Sequence, residues 1–424
     1  MIHMNKAFTG ILILLVSLLP EWAGARNSAK TDSFVKIGVA RVNITPDKPA
    51  MMSGYEARKT PSTGVHDSLY ASAFYFTGDK ERTILITADI IAFNFEMTRE
   101  IRSRIHAKTG IPEQNIMLVA AHNHGGPATG FHEASVKAYT EALLSKLTDL
   151  ATNAAKNPQP FLMGVGKGYC DLNINRCAEF SKGEIWLGRN AAGPVDRDLS
   201  VVKFETLDHK PIAVLVNWPC HGTVTGDTNY MITGDWLGAA ARYIRNEMGD
   251  HMVVGVTAGA SGDINSIYGP NGSVFKEVDA VGYHVGEEAL RVMGEMTPTP
   301  VETLQSNETM VKFPGKQVSP DRYPRETYDT APDTEVRFSA MRLGSLVFAG
   351  ISGELFTEMG MAIKKYSPYT NTVVMTHCNG SSGYICTDSS YVTGGYETKV
   401  TRIMPGNEEK VIQSSVRLIQ SLQY

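Results

Sequence analysis

Residues 115–127 read Asn-Ile-Met-Leu-Val-Ala-Ala-His-Asn-His-Gly-Gly-Pro. The apolar run at 115–120 is too short for a helix and reads as a buried strand, closed by a turn that Gly125, Gly126 and Pro127 make tight. The same arrangement recurs along the chain. Apolar runs at 35–42, 83–88, 212–218, 252–257, 345–351 and 372–376 also read as strands. Helical periodicity at 96–108, 134–155, 235–247, 278–293 and 356–365 follows several of them, and a last helix is expected over 407–422. Strand-then-helix alternation predicts an α/β fold, a mixed β-sheet core flanked by helices. The stretch 314–333, rich in Pro, Arg, Asp and Tyr, reads as a long surface loop that forms a lid or a cleft wall.

Polar residues stand just past these runs. His122 follows 115–120, His221 follows 212–218, Asp263 follows 252–257, Glu354 follows 345–351, and Tyr384 lies beyond 372–376. Ligands in open α/β sheets bind outside the carboxyl ends of the strands, so these groups are expected to converge on one cleft there. His122-Asn123-His124 cannot share a helix face but suits a strand end beside a metal. A bare His-x-His is a weak signal, and a lone histidine such as His221 is more often a core or surface residue than a ligand. The two sites together are more persuasive. Zinc takes nitrogen and oxygen donors, and Glu354 is the best carboxylate candidate, against the alternative of an ordinary acid at a helix N-terminus.

Composition excludes other classes. The 424 residues are 42% hydrophobic and 20% charged, with Lys+Arg 40 against Asp+Glu 44 and a net charge of -4. No basic face for nucleic acid is implied. There is no His-Glu-x-x-His, no phosphate-binding loop and no dinucleotide fingerprint, and Gly259-Ala260-Ser261-Gly262-Asp263 lacks the second glycine of a nucleophile elbow.

The first residues differ from the rest. Lys6, the apolar run 11–19 and Ala23-Gly24-Ala25 describe a signal peptide cleaved after residue 25, leaving 26–424 as a single domain with no transmembrane segment. Export to the periplasm or the exterior is therefore expected. Of the five cysteines, Cys170 with Cys177 and Cys378 with Cys386 could pair by proximity, which does not establish pairing; Cys220 reads as a small core residue.

Taken together, these elements resemble the catalytic domain of the neutral (non-lysosomal) ceramidases. His122-Asn123-His124-Gly125-Gly126-Pro127, Ile174-Asn175-Arg176, Gly193-Pro194-Val195-Asp196, His221-Gly222-Thr223, Thr233-Gly234-Asp235, Gly262-Asp263-Ile264-Asn265, Ser352-Gly353-Glu354, Tyr384-Ile385-Cys386-Thr387 and Tyr396-Glu397 stand in that family's order. The resemblance implies zinc held by His122, His221, Glu354 and Tyr384, with His124, Arg176 and Tyr396 at the scissile group. Asp263 joins the catalytic candidates, and Asn123, Gly125 and Asn265 are candidate substrate contacts. Asn123, Gly125 and Asn265 depart from the family's Thr, Ser and Ser, and its immunoglobulin-like domain is expected to be missing. The implied reaction is hydrolysis of an N-acyl amide by metal-activated water. Two alternatives keep the metal: a zinc enzyme acting on glycans, as deacylase, esterase or uronic-acid lyase, with Arg176 and Arg189 serving a substrate carboxylate, and a zinc-bearing module that only binds.

Overall fold

The computed structural model describes residues 34–269 and 275–423. The expected signal segment lies outside them. Among the described residues no helix is long and apolar enough to cross a membrane.

The α/β class is as expected, with the strands divided over several mixed sheets. The first has the order Ile116–Ala120, Arg82–Ala88, Tyr70–Thr77, Lys36–Asn43, Gln159–Pro160. The second runs Val253–Ala258, Pro211–Trp218, Asp198–Glu205, Leu162–Tyr169, Thr299–Pro300. The third runs Leu304–Lys316, Thr330–Leu343, Leu346–Ile351, Asn371–Met375. Each carries one parallel pair at an edge: Arg82–Ala88 with Ile116–Ala120, Pro211–Trp218 with Val253–Ala258, and Leu346–Ile351 with Asn371–Met375. Every pair is joined by a crossover helix, respectively Phe95–Thr109, Asp235–Met248 and Thr357–Tyr366. Parallel strands need such a connection because the chain must return to the same end of the sheet.

The local signals explain where these helices begin and end. Asn94 caps the first crossover helix by accepting the Met97 N–H at 2.8 Å, and Gly110, at φ 67°, ends it in a left-handed turn that a side chain would disfavour. The helix turns Met97, Ile101 and Ile105 onto the first sheet, where Leu143, Leu147 and Leu150 of Ala134–Ala155 join them. The other face of that sheet packs Phe74, Phe76 and Leu85 against Phe204 and Leu215 of the second sheet and Met341 and Phe348 of the third. Full burial of each such side chain contributes about 1.5–3 kcal/mol. The three sheets thus share one apolar core, and helices cover their outer faces.

The stretch expected as a loop at 314–333 is shorter. Residues up to Lys316 and from Thr330 belong to the paired strands Leu304–Lys316 and Thr330–Leu343, which leaves 317–329 as the connection. The prolines misled because Pro314 and Pro332 sit at the shift of register between Phe313 and Gly315, where a strand tolerates proline.

Candidate active site

All three parallel pairs point their carboxyl ends at one place. His122 follows Ile116–Ala120, His221 follows Pro211–Trp218 and Glu354 follows Leu346–Ile351. The Glu354 Oε2 lies 3.2 Å from His221 Nε2 and 3.4 Å from His122 Nε2. His124 Nε2 is 3.4 Å from His122 Nε2, and ligating atoms of His122, His124 and His221 lie within 4.8 Å of one another.

The outer nitrogens of two of these rings are already engaged. His122 Nδ1 is 2.8 Å from the Ile91 carbonyl, and His221 Nδ1 is 2.6 Å from the Ser261 carbonyl. A carbonyl only accepts, so each Nδ1 carries the proton and each Nε2 turns a lone pair inward. Burial, aided by Arg176, pushes the His221 imidazole down to about 3, which keeps it neutral. Two inward lone pairs facing a carboxylate repel one another unless a cation sits among them. That donor set, with its backbone-anchored imidazoles, fits zinc.

The backbone bringing these groups together is strained and crowded. His122 holds φ 62°, a conformation costly for a side chain with Cβ. Asn123 bridges to Gly222 in a parallel pair, and a Cβ on Gly222 would stand 2.8 Å from the Asn123 Cα and 2.9 Å from the His122 carbonyl oxygen. Asp235, also at positive φ, accepts from the Val224 and Thr225 N–H groups and from the Thr225 hydroxyl, and Trp236 Nε1 donates to the His221 carbonyl. The Thr233-Gly234-Asp235 element therefore shapes the loop behind His221.

A cleft of about 910 Å³ adjoins the histidine cluster through His124. Arg176, Asn265, Tyr384 and Tyr396 line it too. Burial, reinforced by His122 and His221, pushes the His124 imidazole well below its ordinary value, and its Nδ1 has no protein partner. Arg176 sits on one wall: its Nε donates to Glu397 at 2.7 Å, Nη1 to Asn265 Oδ1 at 3.2 Å and Nη2 to the Tyr384 hydroxyl at 2.9 Å. Tyr396 stands edge-on between Trp186 and Tyr384, with ring centroids 5.6 and 5.8 Å away. Burial raises the pKa of both tyrosines, so both phenols stay protonated at neutral pH in the absence of a cation.

Of the seven residues singled out for catalysis or substrate contact, three do not line this cleft. Asp263 is buried, and its carboxylate accepts the Thr357 N–H at 2.8 Å and the Asn175 amide at 2.9 Å; it braces the start of a helix instead of facing a substrate. Asn123 is fully buried with both amide atoms unpaired. Gly125 is packed where a Cβ would meet Thr233 at 2.4 Å, so it serves the turn. Three residues that the sequence reading passed over stand at the cluster, and Glu397, quoted there only as part of the Tyr396-Glu397 element, joins them. His377 stacks on His122 with centroids 3.6 Å apart, Tyr55 lies 5.1 Å from His124, Arg58 donates to the His124 carbonyl, and Glu397 balances Arg176. His377 stands two residues past the strand Asn371–Met375, the same signal that marked His122 past Ile116–Ala120. All five cysteines are free, so neither proximity pair is bridged.

Comparison with known proteins places the chain in a family and a known fold. Residues 35–271 match the family described as neutral/alkaline non-lysosomal ceramidase, N-terminal. Neutral ceramidase 2 of Arabidopsis thaliana is 26% identical over 258 residues, 56% of this chain and 32% of that protein. The neutral ceramidase of Pseudomonas aeruginosa is 23% identical over 359 residues, 78% of this chain and 52% of that protein. The crystal structure of the latter superposes with a TM-score of 0.77 over 92% of this chain and 74% of that one, at 17% identity. A ceramidase complexed with C2 gives 0.79 over 92% and 75%, at 16% identity. Those two likenesses establish the fold, and the chain spans about a third of the length of the Arabidopsis relative. With its motifs in order and its fold shared, the chain belongs to the neutral/alkaline non-lysosomal ceramidase family.

Proposed function

We propose that this chain is an exported, zinc-dependent hydrolase that cleaves the amide bond of an N-acyl substrate. The observation that carries the proposal is the Glu354 carboxylate set 3.2–3.4 Å from two imidazoles whose outer nitrogens are fixed by backbone carbonyls. His122, His221 and Glu354 would hold the ion, with the Tyr384 phenol as the fourth donor. When bound, zinc supplies Lewis acidity to a carbonyl and makes hydroxide available near neutral pH. Export rests on residues 1–25.

The chain's own groups divide the remaining work. His124 is a neutral imidazole on the cleft wall, able to take a proton on nitrogen and return it to the departing amine. Tyr396 keeps its phenolic proton and can donate it in a hydrogen bond to the carbonyl oxygen as that oxygen gains charge. Arg176 donates to the Tyr384 oxygen, which favours negative charge on that oxygen and lowers the cost of using it as a ligand. Asn265 and Glu397 hold the guanidinium plane in register for that contact.

Turnover of a fluorogenic short-chain ceramide by the purified protein, with and without a chelator, tests this reading. Release that a chelator abolishes and zinc restores is expected. A zinc-loaded protein that cleaves neither ceramide nor simpler N-acyl amides would overturn it.

A further inference from the structure

We infer that the cleft receives a substrate carrying an anionic group, a carboxylate-bearing amide in place of a neutral one. The inference rests on the amide-hydrolase reading for the reaction but on independent residues for recognition. Among the described residues three cations line the cleft: Arg176, Arg189 and Lys399. Arg176 is spoken for by Glu397. Arg189 donates only to the Gly269 carbonyl, at 3.4 Å, and among the described residues neither Arg189 nor Lys399 has a carboxylate partner. Among the described residues Glu56 is the one lining acid, and it belongs to the loop that carries Tyr55.

Two unpaired cations in a half-enclosed cleft focus a positive potential on whatever enters. A neutral substrate would leave the exposed Arg189 and the half-buried Lys399 without a counter-charge. A carboxylate would meet a guanidinium fork and an ammonium, the donors that bind such groups with charge-assisted hydrogen bonds. The wall beside them is apolar: Trp186, Leu187, Val318 and Val400 line the same cleft, with Leu187 38% and Val318 55% exposed. Large apolar side chains left open beside unpaired cations suit an amphipathic ligand, with an acyl chain along the wall and an acid at Arg189 and Lys399.

The test is a titration of N-octanoylglycine and N-octanoylglycinamide, which differ only in the carboxylate. The host is the full chain carrying His124→Ala, so that nothing is turned over, and the fluorescence of Trp186 reports occupancy, with Trp186→Phe as the control for the signal. The acid is expected to bind on the order of tenfold more tightly than the amide. That ratio should collapse towards one in Arg189→Gln/Lys399→Gln, and should shrink as salt is raised. Equal affinities, a ratio that survives the double substitution, or no binding of either ligand overturns the inference. The two readings fail separately. A charge-dependent preference with no hydrolysis by the zinc-loaded parent keeps the anion site and removes the amidase. Hydrolysis of both amides at equal efficiency keeps the amidase and removes the anion site.

Discussion

Glu354 and Tyr384 are Cα partners in a two-residue parallel bridge, Glu354–Leu355 against Tyr384–Ile385. Partners in such a ladder send their side chains to the same face, so the carboxylate and the phenol leave together. The bridge from Asn123 to Gly222 does the same work for the histidines on the opposite side. The four groups proposed to hold zinc are therefore set as two backbone-paired couples, one in a separate two-stranded sheet that follows strands of the third and one bridging the loops that follow strands of the first and second.

Glu354→Gln keeps the size and the bridge but removes the charge that faces two imidazoles. Zinc content of the purified protein should fall well below one per chain and hydrolysis should be lost, while circular dichroism stays that of the parent. Full zinc occupancy in this variant would remove Glu354 from the ligand set.

Gly222→Ala tests the closeness of the other couple. The new methyl would sit 2.8–2.9 Å from the Asn123 and His122 backbone, and overpacking of this kind costs about 1–3 kcal/mol. Urea denaturation should show a loss in that range together with weaker zinc retention, because the two loops must part. Unchanged stability would mean that the loops are not held as tightly as the bridge indicates.

Arg176 and Glu397 form an ion pair whose side chains are 5% and 3% exposed. Removing one partner strands a buried charge, at a cost of about 3–5 kcal/mol. Glu397→Gln should lose stability on that scale, and Arg176→Met/Glu397→Gln should recover much of it without recovering activity. A double variant no better than the single one would contradict a direct pairing.

Burial raises the Asp263 carboxyl from 3.8 to about 7. Because the folded value is raised, the native state binds more protons than the unfolded chain between those limits. The contribution is present in full below about 4 and is lost as pH rises through 7. A three-unit displacement is worth on the order of 4 kcal/mol. In chelated protein, the parent should lose stability between pH 4 and pH 8 by that order more than Asp263→Asn does. Parallel urea profiles would show that Asp263 titrates normally.

How much of this was legible depended on which physical signal each residue carried. The strands of the parallel pairs are buried on both faces and read as continuous apolar runs, so their ends, and the polar residues just past them, were visible. Apart from Lys36–Asn43, expected at 35–42, the strands with antiparallel neighbours alone were not. Leu162–Tyr169 carries Gly164, Gly166 and Gly168, which resemble turn residues; they are small because Val292, Met296 and Glu288 press against that face, and a Cβ on Gly166 would lie 2.6 Å from Val292 Cγ1. Tertiary packing made that requirement, and no local pattern encodes it. The Ile91 and Ser261 carbonyls that orient the two histidines were equally hidden, since every residue has a carbonyl. Asp263 misled for the opposite reason: a strand-end acid beside glycine looks catalytic, and only its buried partners assign it to bracing.

Tyr396 separates binding of the ion from use of it. Its ring is fixed edge-on between Trp186 and Tyr384, so Tyr396→Phe should leave the aromatic packing as it is and remove only the hydroxyl. If that hydroxyl stabilises the charge that develops on a carbonyl oxygen, its loss should lower kcat by about 10²–10³, the usual cost of one such donor, with KM little changed because the ground-state carbonyl holds less charge. Zinc content and thermal midpoint should match the parent. The expected pattern is thus a loaded, folded and slow enzyme, read by single-turnover kinetics on a fluorogenic N-acyl amide. An unchanged rate would take Tyr396 out of the reaction, and a rise in KM alone would make it a contact of the bound substrate.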